Sequence, residues 1–333
     1  MSSVAYSPDG KLIASAGGDS SVVFWDAFGR EPLGEPLNTH QGMVLSVAFS
    51  PDGKLVASAG QDGSVILWEV SSRQPAGQPL KVLRGYVRAL AFSPDGRILA
   101  SAHEDGVVIL WDIGSHLAVG EPLEAQQGEV SSLAFSPDGE LLASATGKTG
   151  RVILWEVGSR TPARNPITAD GTVSSVAFTP DGKLLAVASD SRTVALWKVA
   201  NRERFGQPLK LDRAAVSSLA FSPDGKLLAL ASAQVTRVAD NKAILIDVST
   251  LKVLSEFPHM WPVFSVAFSP DGRLLASASG YSGPVLWAAD EQAWKRIACS
   301  VVNRNLSRNE WREFAGEAIP FQSVCPDLPE FTE

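Results

Sequence analysis

The sequence predicts an all-β fold built from seven similar units, each a small antiparallel sheet. The main observation is a recurring Ser-Pro-Asp-Gly turn. Its proline presets φ and its glycine accepts a positive φ, so the chain reverses sharply between two apolar runs. The turn aspartate recurs at intervals of 43 residues five times and then of 47, at Asp9, Asp52, Asp95, Asp138, Asp181, Asp224 and Asp271. A nearly fixed period of this length indicates a repeat architecture with one supersecondary unit per copy.

Each copy contains three apolar runs bounded by turns, which predict three strands. In the third copy, Val87 to Ser93 precedes the turn and Arg97 to Ala102 follows it; both runs mix small, β-branched and aromatic residues. The third run, Val107 to Trp111, ends in a tryptophan, and the sixth copy has Ile246 at this position. The tryptophans of the other six copies are Trp25, Trp68, Trp111, Trp155, Trp197 and Trp287.

A looser segment follows each third run and predicts a fourth, outermost strand. Gly34 to Leu37 and Gly120 to Leu123 both have the sequence GEPL. A proline within such a short run favours an edge strand, because its missing N–H is not needed there. Four strands per 43 residues, with the weakest outermost, describe one blade of a β-propeller.

The pattern VxSVAFSPDGKLLASAxxDxxVxLWDV resembles the WD-repeat β-propeller family, from residue 2 to about residue 288. The Trp-Asp pair survives at Trp25 and Asp26 and again at Trp111 and Asp112. The resemblance implies a seven-bladed propeller of four-stranded blades over residues 1–288, followed by an extension over residues 289–333. The extension resembles the helical C-terminal cap that follows propellers in bacterial multidomain WD-repeat proteins.

The resemblance also implies a structural tetrad in each blade: a His before the first strand, a Ser or Thr in the second, an Asp in the next turn and the Trp of the third. By position, one copy is complete, with His40, Ser58, Asp62 and Trp68. In the third copy Leu83 occupies the His position, and in the seventh Tyr281 occupies the Asp position. The apolar pattern is therefore expected to hold most blades together.

The pattern breaks at three places. The sixth copy has an insertion between Ser232 and Ile246, which is either a recognition loop or a tolerated surface excursion. The chain starts within a predicted first strand, so ring closure requires a strand from the C-terminal tail, a three-stranded last blade, or a longer parent protein. In the tail, apolar residues from Ala293 to Val301 recur at helical spacing and predict a helix. A capping box at Ser307 and Glu310 predicts a second helix.

Composition restricts the function classes. Thirty-six acidic against 29 basic residues give a net charge of -7, which disfavours non-specific nucleic-acid binding as the main activity. The sequence shows no secretory signal and no apolar run long enough to span a membrane, so we expect a soluble, cytoplasmic chain without membrane association. Cys299 and Cys325 are the two cysteines; they exclude a disulfide framework, and either pair or stay reduced.

The search for catalytic constellations finds none. His40, His103, His116 and His259 lie in different copies without metal-ligand spacing, and the Asp-Gly turns lack the loop, Lys and helix order of a phosphate site. No nucleophile elbow is present. We therefore expect no enzyme activity, no cofactor, no metal and no small-molecule substrate. The competing hypothesis of a propeller enzyme requires a charged cluster at the mouth of the central channel.

Binding to a protein or peptide partner is the function that remains. In the family that the chain resembles, the loops before the first strand and between the second and third strands gather at one end of the channel. Side chains that stand out there are predicted to form a partner-binding patch, since aromatic and Arg residues are favoured anchors. They are Arg84, Tyr86, Arg88, His103, Glu104, Trp261, Phe264 and Tyr281.

The sequence thus predicts a non-catalytic protein-interaction scaffold. The alternative is the C-terminal sensor or autoinhibitory module of a longer bacterial signalling protein, such as a nucleotide-dependent switch or a kinase. Simple core packing of Trp261 and Phe264 is the competing explanation for part of the patch.

Overall fold

The computed structural model describes residues 1–28, 31–81, 85–124, 128–163, 165–211, 215–233, 241–280 and 283–289. These residues form seven antiparallel sheets, each made of consecutive strands. The first strands of successive sheets contact one another around a ring, so the sheets are the seven blades of a propeller. The described residues contain no helix, and hence none that could cross a membrane. The two helices predicted for the tail lie outside the described residues.

Blades 1 to 4 follow the predicted strand order. Blade 1 contains β1 (Ser3–Tyr6), β2 (Leu12–Ala16) and β3 (Val22–Asp26). Blade 2 contains β4 (Val44–Phe49), β5 (Leu55–Gly60), β6 (Ser64–Glu69) and β7 (Leu80–Lys81). Blade 3 contains β8 (Val87–Phe92), β9 (Ile98–His103), β10 (Val107–Asp112), β11 (Leu117–Ala118) and β12 (Leu123–Glu124). Blade 4 contains β13 (Val130–Phe135), β14 (Leu141–Thr146), β15 (Arg151–Glu156), β16 (Thr161–Pro162) and β17 (Ile167–Thr168).

Blades 5 and 6 have longer outer strands, and three strands of blade 7 are described. Blade 5 contains β18 (Val173–Phe178), β19 (Leu184–Ser189), β20 (Thr193–Lys198) and β21 (Arg204–Lys210). Blade 6 contains β22 (Ala215–Phe221), β23 (Leu227–Ala233), β24 (Lys242–Asp247) and β25 (Lys252–Pro258). Blade 7 contains β26 (Val263–Phe268), β27 (Leu274–Ser279) and β28 (Val285–Ala288).

The hydrophobic core lies between the blades. Ala57 and Ala59 of β5 are fully buried and face Leu90 and Leu99 of blade 3. Small residues in the second strand let the next blade approach closely, and larger residues of that blade fill the space. The outer segments seal these interfaces, as Leu80 of blade 2 does against blade 3.

The same packing closes the ring between blade 7 and blade 1. Ala276 and Ala278 of β27 form one buried cluster with Val4, Tyr6 and Ile13 of blade 1. Strand β1 contacts both β26 and β27. The first strand of the chain therefore closes the ring by packing against blade 7.

A repeated hydrogen bond links neighbouring inner strands. Ser46 Oγ of blade 2 accepts the N–H of Leu90 of blade 3 at 3.1 Å, and Ser265 Oγ of blade 7 accepts the N–H of Val4 at 3.2 Å. The equivalent serine makes this bond at six of the seven blade interfaces that the described residues form. Between blades 3 and 4 the serine is replaced by Ala89.

A proline and a glycine meet at the opposite end of each interface. Gly53 of the blade 2 turn has a φ of 69°, and a Cβ added to it would lie 3.5 Å from Pro8 Cδ of blade 1. The corresponding contact between Pro270 and Gly10 joins blade 7 to blade 1. The Pro-Asp-Gly turns thus hold neighbouring blades in contact as well as reversing the chain.

We expect Gly53→Ala to lower the stability of the propeller by about 1 kcal/mol, because alanine is strained in the left-handed region. The midpoint of urea-induced unfolding measures this loss. Gly158→Ala is the matched control, since a Cβ at Gly158 would meet no atom within 4 Å. It is expected to leave the midpoint unchanged or slightly higher. Equal losses in the two variants would contradict the role assigned to the turn glycine.

Candidate functional site

Two kinds of loop meet at one end of the ring, which we call the channel mouth. In blade 2 the N–H of Gln61, after the second strand, donates to the carbonyl oxygen of Met43, before the first strand, at 3.0 Å. In blade 3 the N–H of Glu104 donates in the same way to the Tyr86 carbonyl oxygen at 3.1 Å. These bonds fix both loops to the inner strand of their blade, and so give the mouth a rigid rim.

One side chain per blade occupies the start of the inner strand, and together these side chains form what we call the mouth ring. In blades 2 to 7 the residue is the extra one of a β-bulge, as between Val87 and Ala89. A bulge re-aims the side chain that it displaces from regular pairing. The members are Ser2, Leu45, Arg88, Ser131, Ser174, Ser217 and Phe264.

The four serines of the mouth ring are satisfied by the backbone. Ser131 Oγ donates within its own blade to the Ala145 carbonyl oxygen at 3.2 Å and to the Val173 carbonyl oxygen of the next blade at 2.6 Å. Ser217 forms the same pair of bonds to blades 6 and 7, Ser2 to blades 1 and 2, and Ser174 bonds within blade 5. On these blades the mouth-ring serine therefore stabilises the fold through its hydrogen bonds to the backbone.

Leu45, Arg88 and Phe264 break this pattern on blades 2, 3 and 7. Phe264 is 42 % exposed, and Trp261, three residues before it, is 47 % exposed. Met260 of blade 7, Met43 of blade 2 and Tyr86 of blade 3 are also exposed at the mouth. Blades 7, 1, 2 and 3 follow one another around the ring. We call the large side chains on these blades the apolar arc: Leu45, Met43, Tyr86, Met260, Trp261 and Phe264.

The structure places five of the predicted patch residues at the mouth: Tyr86, Arg88, Glu104, Trp261 and Phe264, all of them exposed. They lie on blades 3 and 7, which blades 1 and 2 separate in the ring. Arg84 and Tyr281 lie outside the described residues. The sequence analysis did not identify Met43, Leu45 and Met260. Leu45 could have been found, because four other copies have serine at the equivalent position.

His103 does not belong to the surface patch. It is fully buried in β9, where Ser101 Oγ lies 3.0 Å from its Nε2, and the same hydroxyl accepts the indole N–H of Trp111 at 2.9 Å. The third copy lacks the tetrad histidine, and His103 brings an imidazole to the same serine from within the strand.

Blade 2 contains a continuous chain of hydrogen bonds through its four tetrad residues. Ser58 Oγ accepts the Trp68 indole N–H at 2.8 Å, so its own hydrogen is directed to His40 Nε2 at 2.7 Å. His40 Nδ1 then donates to Asp62 at 3.0 Å. These hydrogen bonds connect the loop before blade 2 to the core of that blade.

Blades 5 and 6 dispense with the tetrad in two different ways. In blade 6 both partners are apolar, since Leu230 and Ile246 stand in the serine and tryptophan positions and are fully buried. In blade 5 Val187 replaces the serine while Trp197 is kept, and the buried indole N–H of Trp197 has no acceptor among the described residues. Arg204 lies over the ring of Trp197 at 5.1 Å from its centroid.

Burial lowers the pKa of His40 below its ordinary value, although Asp62 acts in the opposite direction. Burial alone lowers the pKa of His259, whose Nε2 lies 3.1 Å from Ser277 Oγ. Both imidazoles are therefore neutral at neutral pH. Within the described part of the chain, no three His, Cys, Asp or Glu side chains are grouped so that they could hold a metal ion.

A protein-family model matches the repeats of the chain. The family model described as "WD domain, G-beta repeat" matches seven stretches, residues 1–26, 30–69, 77–112, 119–156, 165–198, 207–247 and 251–283. Each stretch contains the first three strands of one blade, apart from the last, which ends before β28. None of the curated protein sequences matches the chain.

The free energy of unfolding is expected to fall as the pH is lowered from about 7.5 to 5.5. In the unfolded chain the two histidines take up protons near pH 6.5, whereas burial lowers their pKa in the folded protein, so acid favours the unfolded state. His259→Gln should flatten this dependence more than His40→Gln, since Asp62 partly favours a charged His40. Urea unfolding at a series of pH values measures both slopes. If the slope in the His259→Gln variant equals that of the unmodified protein, burial of a neutral His259 is not the cause of the pH dependence.

Proposed function

The chain belongs to the WD-repeat β-propeller family, and we propose that it is a non-catalytic scaffold that binds a protein or peptide partner through the apolar arc. Propellers of this family generally serve as protein-interaction scaffolds. A rigid ring of packed blades holds the mouth loops in place, while the identity of the side chains on those loops sets the specificity.

The proposal depends mainly on which residues form the mouth ring. On blades 1, 4, 5 and 6 the ring residue is a serine bonded to the backbone. On blades 2, 3 and 7 it is Leu45, Arg88 or Phe264. Arg88 forms an ion pair with Glu129 of blade 4 at 2.8 Å, whereas Phe264 has no hydroxyl to bond the backbone and its side chain is 42 % exposed. A large exposed residue at a position where a small one serves the scaffold indicates selection for contact with another molecule.

The distribution around the mouth supports a single binding surface. Among the described residues, the exposed large apolar side chains of the mouth lie on blades 7, 2 and 3, and the mouth-ring positions of blades 4, 5 and 6 hold serines. Two methionines in the arc suit a surface that adapts to its partner, because their side chains are flexible and polarisable. Trp261 and Phe264 supply the rigid area that anchors binding.

Replacing all three large ring residues by serine, in Leu45→Ser/Arg88→Ser/Phe264→Ser, is expected to abolish partner binding while preserving the fold. Serine at this position forms backbone hydrogen bonds in four blades. Affinity capture from native cell extract, quantified by mass spectrometry, should recover at least about tenfold less partner with this variant.

Phe205→Ser is the matched control, because Phe205 is 39 % exposed but lies on the outer strand of blade 5. It should recover as much partner as the unmodified protein. Equal recovery by all three proteins would refute the apolar arc as the binding surface. Thermal unfolding checks that the triple variant remains folded.

A further inference from the structure

The outer segment of a blade supplies a large apolar residue to the cluster that this blade shares with the next one. Leu80 of blade 2 packs in one cluster with Trp111 of blade 3. Between blades 6 and 7 the ring of Phe257 stacks on that of Trp287, with 5.0 Å between the ring centroids. The outer end of each such boundary is therefore covered by an apolar side chain. The covering residues of blades 1 to 6 are Leu37, Leu80, Leu123, Ile167, Leu209 and Phe257.

The boundary between blades 7 and 1 has no covering residue in the described part of the chain, which stops at Ala289, before an outer segment of blade 7. Trp25 of blade 1 faces blade 7 here, since a Cβ added to Gly283 would lie 2.8 Å from its Cη2. Trp25 and Trp287 are only partly buried, whereas the tryptophans of blades 2 to 5 are at most 9 % exposed. The two less buried indoles therefore both border the outer side of blade 7.

Phe28 of blade 1 is 75 % exposed and lies in the turn that follows β3. The equivalent turn of blade 3 contacts the outer segment of the preceding blade, since a Cβ added to Gly77 would lie 2.7 Å from His116 Cε1. The turn of blade 1 therefore borders the place of an outer segment on blade 7. We call Trp25, Phe28 and Trp287 the outer seam. Because the third strand runs away from the channel mouth, Phe28 lies at the opposite end of the blade from the apolar arc.

The sequence beyond blade 7 contains a segment suited to this surface. In blades 1 to 6 the covering residue follows the third-strand aromatic, or Ile246, by eleven or twelve positions, and residues 293–301 span this distance from Trp287. A segment joined to the chain beside a surface meets it at a high effective concentration. The large apolar residues of the segment recur at the spacing of one helix face. They are Trp294, Ile297 and Val301.

We propose that residues 293–301 of the same chain cover the outer seam, with their apolar face against Trp25 and Phe28. The segment then closes the last boundary as Leu80 closes the boundary between blades 2 and 3. It also gives the array the covered end that terminal units of repeat proteins require. Since the seam lies away from the channel mouth, this cover leaves the apolar arc open to a partner.

Photo-crosslinking in the full-length protein tests this assignment. The photoreactive residue p-benzoyl-phenylalanine takes the place of Phe28 in one protein and of Phe205 in a second, where Phe205 is 39 % exposed on the outer strand of blade 5. After irradiation and digestion, mass spectrometry should find position 28 joined to residues 293–301 of the same chain, and position 205 not joined to them. A covalent dimer through position 28, or no cross-link from it to residues 293–301, would overturn the proposal.

Hydrogen exchange of backbone amides measures the effect of the cover on the blades. In Trp294→Ser/Ile297→Ser the amides of β3 and β28 should exchange at least about tenfold faster, while those of β15 in blade 4 keep their rates. Lys295→Ser/Arg296→Ser is the matched control, because these positions lie off the apolar face, and it should exchange like the unmodified protein. Unchanged rates in β3 and β28, or an equal acceleration in β15, would show that the segment does not act at the outer seam.

Discussion

The burial of one blade's face against the next is the interaction on which this protein depends. A sheet with two apolar faces cannot bury both by itself, so each blade needs two neighbours. Fully buried alanines in each second strand, such as Ala57 and Ala276, set the spacing between blades. The interface between blades 7 and 1 has the same kind of apolar cluster and proline contact as the others and the serine bond found at most of them, so the described residues close the ring through the interactions that join neighbouring blades elsewhere.

This dependence explains why the polar tetrads vary so widely. Replacing both members of a buried hydrogen bond by apolar groups costs little, and blade 6 does so with Leu230 and Ile246. Blade 5 changes one member and leaves Trp197 with an indole N–H that no described residue accepts. Since apolar packing dominates, the ring tolerates this loss. Blade 3 rebuilds part of the network with His103 from a different position.

The architecture was predictable because its signals are local. Proline, glycine and the spacing of apolar runs specify each turn and strand without reference to the rest of the chain, and the family match confirms the repeat. The site was predictable only in part. His103 is buried in β9 beside Ser101, which depends on packing between blades, and Leu45 is the extra residue of a bulge that interrupts strand alternation. Blades 1 and 2 also separate the predicted patch residues of blade 3 from those of blade 7.

The boundary between blades 3 and 4 differs from the other boundaries in one respect. It lacks the serine bond, because Ala89 stands in that place, and the Arg88–Glu129 ion pair spans the same two blades. An ion pair on the surface is weakened by salt and by competing charges, whereas a backbone hydrogen bond beneath it is not. The Arg88–Glu129 contact at this boundary is therefore expected to weaken as the ionic strength rises, and it borders the proposed binding surface. A ligand that draws Arg88 away from Glu129 would therefore remove the ion pair that joins these two blades.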